Sequence, residues 1–119
     1  MSIENLVVSF VNLTPHAIVM RGSDGVDVTI APSGAVARVS ELQTVAVRMF
    51  NGIPVLARTG FGPVLDLPQP QEGVVFVVSG MVLEKVIGRE DVIAPATGPS
   101  DGAVRNEKGH IIAVTALKE

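Results

Sequence analysis

Short valine-rich runs recur along this chain, each bounded by Gly, Pro, Asn or Asp, and that punctuation constrains the fold more than any other feature. β-Branched side chains suit a pleated, half-buried surface, and the intervening residues break regular structure. The pattern predicts a mostly β fold, a sandwich or barrel-like arrangement. Strands are expected at about 6–13, 17–22, 26–31, 35–40, 44–50, 53–59, 63–67, 73–78, 91–94, 103–106 and 110–116. Three turns stand out: Ser23-Asp24-Gly25, Asn51-Gly52 and Glu107-Lys108-Gly109. Asn-Gly is the clearest of them, because both central positions of a type I′ hairpin turn need positive φ.

One segment departs from this rhythm. In "SGMVLEKVIGRED" Val82, Leu83, Val86 and Ile87 recur at helical spacing around Glu84 and Lys85. A short helix is expected over about 80–87, with Ser79 as its N-cap and Gly88 as its stop. "PATGPSDG", from Pro95 to Gly102, reads as a loop. At 119 residues the chain is expected to form a single domain, 1–119.

The Asn51-Gly52 hairpin carries a sharper implication. A two-residue turn would pair Phe50 with Ile53, Arg48 with Val55 and Ala46 with Ala57, leaving Val45, Val47, Met49, Pro54, Leu56 and Arg58 on the other face. Both faces are then largely apolar, so the hairpin is expected to be covered on both sides. Mean hydropathy is +0.46 and 47% of residues are hydrophobic. A small domain with this excess is expected to hide surface in a homo-oligomer.

Several functions are disfavoured. The apolar stretch from Gly73 to Leu83 is interrupted and too short for a spanning helix, so no membrane role is expected. The opening residues carry no basic n-region, which points away from a signal peptide and toward the cytoplasm. Net charge is −3 with the basic residues scattered, and Tyr and Trp are absent, so no nucleic-acid polymer is expected as partner. With no cysteine and only two histidines, His16 and His110, no metal site is expected. No cofactor motif is present, and enzyme is the minority reading.

The candidate site residues follow from local chemistry. "FVNLTPHAIVM" sets Asn12, Thr14, Pro15 and His16 between two apolar runs. Pro15 ends the strand, and Asn12 and Thr14 can bond backbone in the turn. The alternative is that Asn12, Thr14 and His16 line a pocket. Arg38, Arg48 and Arg58 each sit mid-strand among small or aliphatic residues, where guanidinium groups could grip phosphate, or could simply be ion-paired with solvated tips. Arg89, beside Glu90 and Asp91, has the same ambiguity.

The ordered segments "VNLTPHAI", "IAPSGAVARV", "GPVLDLPQPQEGVVFVVSGMV", "REDVIAP" and "AVRNEKGHIIAV" resemble a family of small proteins common in tailed phages, prophages and actinobacterial genomes. The resemblance covers nearly the whole chain and implies a genomic setting. Phage accessory proteins of this size include oligomeric sponges that sequester nucleotide signals of bacterial immunity. Three expectations result. The first is a non-enzymatic oligomer holding a small phosphate-bearing nucleotide through Asn12, Thr14, His16, Arg38, Arg48, Arg58 and Arg89. The second is a phage structural or assembly protein without ligand, and the third a small phosphodiesterase using His16 as general acid or base.

Overall fold

The computed structural model describes residues 5–42, 44–57 and 60–119. The elements run β1 (Ser9–Asn12), β2 (Ile18–Arg21), β3 (Asp27–Ile30), β4 (Arg38–Glu41), β5 (Ala46–Phe50), β6 (Ile53–Leu56), β7 (Phe61–Leu65), β8 (Val74–Val77), α1 (Gly80–Lys85), β9 (Val92–Pro95), β10 (Val104–Arg105), β11 (Ile111–Ala113) and β12 (Leu117–Lys118). The expected β-rich chain with one short helix is what forms. No helix among the described residues is long and apolar enough to cross a membrane.

Local chemistry sets the hairpins. Asn51 at φ 51° and Gly52 at φ 79° make the expected turn between β5 and β6. Gly109, at φ 81°, closes the turn between β10 and β11 by donating to the Asn106 carbonyl. The central sheet owes more to distant contacts, in the order β1-β8-β9-β12. β1 runs parallel to β8, and β8 parallel to β9. Parallel neighbours need a crossover, and α1 supplies it between β8 and β9.

The helix starts where expected, with Ser79 Oγ accepting from the Val82 N–H. It ends two residues early. Val86 is already extended, at ψ 124°, and the chain turns at Gly88 with φ 76°. Val82 seats the helix on a core made with Leu13, Ala37, Phe76, Val78 and Val92. The expected strand over 110–116 is divided. After β11, Val114 bridges Met20, and β12 then pairs with β9. The backbone of Val114 is spent on β2, donating to Val19 and accepting from Arg21, so a continuous ladder cannot form there.

The β5–β6 hairpin stands apart from this body as an arm. The two strands pack chiefly on each other. The molecule measures 58 × 39 × 33 Å, with a radius of gyration of 17.8 Å. A compact chain of this length would have about 13–14 Å. Its register also differs from expectation near the base. Phe50 pairs with Ile53 and Arg48 with Val55, but Ala46 pairs with Leu56 in place of Ala57. Val47 is the extra residue of a bulge that shifts the ladder by one.

Candidate functional site

Asn12 stands at the end of β1 and is completely buried. Its Nδ2 donates to the carbonyls of His16 at 2.8 Å and Ile30 at 3.0 Å. Its Oδ1 accepts from the Thr14 N–H at 2.9 Å and from the Thr14 hydroxyl at 2.6 Å. Two donors and two acceptor sites are all an amide has, so every one is used. The main chain of Asn12 and Leu13 is held as well, with the Asn12 carbonyl accepting from Ser33 and that of Leu13 from Ala37. One side chain therefore ties the ends of β1 and β3 to the start of β2. Nothing polar on Asn12 is left for a ligand.

His16 lies past the turn, with only its carbonyl engaged by Asn12. Its ring is exposed at the mouth of an open groove of about 530 Å³ lined by Ile18, Val19, Pro95, Ile111 and Ile112. No carboxylate lines that groove among the described residues. General acid–base work by His16 would have to recruit its partner from elsewhere.

The arginines are dispersed, and three of the four candidates can be placed. Arg89 is committed to structure. Its Nε and Nη2 reach both oxygens of Asp91 at 2.8 Å, and Nη2 also donates to the Pro68 carbonyl at 3.0 Å. This fastens the segment leaving α1 to the 66–68 turn. Arg48 lies on the arm, its guanidinium 4.8 Å from the centre of the Phe50 ring. Arg38, at the start of β4, reaches Asp66 at only 3.4 Å with both side chains well exposed. It rims a shallow groove of about 470 Å³ with Gly34, Val36, Leu67 and Pro68. Arg58 lies outside the described residues. Arg38, Arg48 and Arg89 thus share no single intrachain pocket.

Two further ion pairs escaped the sequence reading. Arg21 and Asp27 face each other across β2 and β3, with Nε–Oδ1 at 2.7 Å. The loop beginning at Pro95 is closed by Asp101, whose Oδ2 accepts from the Gly98 N–H and from Lys118 Nζ, both at 2.7 Å. Glycine spacing alone could not reveal that clasp, because Lys118 arrives from the far end of the chain.

These contacts set a pH dependence. Hydrogen bonds from Arg89, Arg21 and Lys118 hold the carboxyls of Asp91, Asp27 and Asp101 below the usual aspartate range. A depressed folded-state carboxyl means that the unfolded chain binds more protons in acid. The stabilisation is therefore present at neutral pH and is lost as pH falls below about 4. Denaturant midpoints measured from pH 7 to pH 2.5 should fall monotonically through that window. Asp91→Asn should lower the midpoint at pH 7 and flatten the acid limb.

The arm leaves apolar surface open to solvent. Val45, Val47, Met49, Phe50, Ile53 and Leu56 are each 59–66% exposed, on both faces of a two-stranded ladder. No family model, curated protein or solved structure matches the chain.

Proposed function

We propose that the chain is a non-catalytic protein that works as a homo-oligomer, in the manner of a phage structural or assembly component, with the arm as its means of association. The observation that carries this reading is the arm's apolar surface, open on both faces. An isolated two-stranded hairpin is marginal in water, and a contiguous apolar surface on a soluble chain marks an interaction site. The phage setting, and with it a host-cytoplasmic location, comes from the resemblance of segments such as "VNLTPHAI" and "IAPSGAVARV".

A second reading, sequestration of a phosphate-bearing small molecule such as a nucleotide signal, draws on Arg38. Its long contact to Asp66 leaves a guanidinium edge free for bidentate contact with phosphate, beside a groove lined by Gly34, Ala35, Val36 and Leu67 as well as Asp66 itself. Native mass spectrometry of the protein with a panel of cyclic and linear nucleotides separates the two. A discrete oligomer carrying no small molecule supports the assembly reading. An oligomer that releases an intact nucleotide on denaturation, and loses it in Arg38→Ala, establishes sequestration instead. A monomer at all concentrations overturns the assembly reading.

A further inference from the structure

We infer that the arm is covered by a second copy of this chain, arm against arm, through the face that carries Val47, Met49, Pro54 and Leu56. The inference rests on the self-association proposed above and names its surface.

Alternation along the two strands sorts the arm into two unlike faces. Phe50, Ile53, Arg48 and Val55 share one, as their direct cross-strand pairing requires. Arg48 stacks on Phe50 there, so that face carries a charge with its own intrachain partner. Met49 pairs with Pro54 on the other face and Ala46 with Leu56, while Val47 lies between them on β5 as the bulge residue. Val47, Met49, Pro54 and Leu56 are all exposed, and no charged residue of the hairpin's described strands stands among them.

Over its described residues this face offers a foreign partner no charge pattern to recognise, whereas two identical apolar faces complement each other across a two-fold axis. A second copy is also the one partner present at matching concentration whenever the chain is made. The geometry of the edges decides how the arms meet. Pro54 lacks the N–H that continued pairing on β6 would use, and the bulge at Val47 disrupts the line of β5. Edge-to-edge extension is blunted on both strands, so the arms stack through their faces.

Area sets the extent of the contact. Val47, Met49 and Leu56 are each about 60% exposed, and together with Pro54 they present roughly 400 Å², against about 800 Å² per partner in a standard stable interface. The opposite face, with Val45, Phe50 and Ile53, adds a comparable area. A lasting dimer therefore covers both faces: the partner's arm takes the one bearing Met49, and the partner's body takes the one bearing Phe50.

The chain contains no cysteine, so single thiols report the contact cleanly. Val47→Cys, Met49→Cys and Leu56→Cys are oxidised at low micromolar concentration and run on non-reducing gels. At least one is expected to cross-link more than half of the chains. Ile53→Cys, on the opposite face, is expected to cross-link only a few per cent. In sedimentation, Met49→Asp is expected to weaken dimerisation at least 100-fold while leaving the circular dichroism melt of the body in place. Cross-linking by Ile53→Cys alone, or a wild-type oligomer that persists in Met49→Asp without face-specific cross-links, overturns the arm contact and leaves self-association standing. A monomeric wild type overturns both. A monomer that floats with phosphatidylcholine vesicles, and stops doing so in Met49→Asp, assigns the face to a bilayer and overturns the second-copy occupant.

Discussion

Phe76→Ala is expected to destabilise the fold by about 4 kcal/mol, the middle of the range for emptying a buried aromatic site. Phe76 sits on β8, the strand flanked on both sides by parallel neighbours, and is 1% exposed. Its ring belongs to the same cluster as Leu13, Val82 and Val92, so the loss opens a cavity bordered by β1, α1 and β9 at once. β1 and β9 are fixed by ladder hydrogen bonds to the two edges of β8, which limits collapse into the space. Equilibrium denaturation with circular dichroism measures the effect. A loss under about 1 kcal/mol would mean that the cluster is not the stabilising core. Phe50→Ala supplies the contrast: exposed on the arm, it should leave the isolated subunit's stability nearly unchanged and weaken only the assembled state.

Asn12→Ala comes next in size, at about 3 kcal/mol. The substitution strands the Ile30 carbonyl and the Thr14 N–H and leaves the His16 carbonyl only the Thr14 hydroxyl, and each orphaned group costs about 1–3 kcal/mol where water cannot replace the partner. For a chain of this length the melting temperature should fall by on the order of 10 °C. Asn12→Asp should be worse at neutral pH, because a carboxylate would face two carbonyl oxygens where Nδ2 now donates to both. Its deficit should shrink in acid, where the protonated group regains one donor. Equal stability of Asn12→Asp and wild type at pH 7 would contradict the bonding described here.

These two residues also mark what was legible in the sequence. Turn chemistry could be read directly: Asn51-Gly52, Gly109 and the Ser79 cap act within a few residues, where propensity and hydrogen bonding are local. The polar run from Asn12 to His16 was equally legible as a turn. Its partner at Ile30 was not, because nothing in strand alternation says which distant carbonyl a buried amide will meet. The same limit hid the pairing of β1 with β8 and the reach of Lys118 to Asp101. Arg38, in "VARVS", and Arg89, beside Glu90 and Asp91, carry the same ambiguity in sequence. They separate only when Asp91 closes on one at 2.8 Å and Asp66 stands off the other at 3.4 Å. The bulge at Val47 was unreadable too, since a one-residue shift leaves a strand that is apolar on both faces around Arg48 with much the same hydrophobic pattern.

The arm joins these observations to function. Its sequence demands cover on both faces, and the subunit's own body does not provide it. Hydrogen exchange on the arm amides, followed by mass spectrometry across a dilution series, tests that most directly. The expected result is slow exchange over 45–57 at high concentration, collapsing toward unprotected rates on dilution while the Phe76 strand stays protected throughout. Arm amides that exchange at unprotected rates at every concentration would show that nothing covers the hairpin, and would contradict its proposed role as the means of assembly.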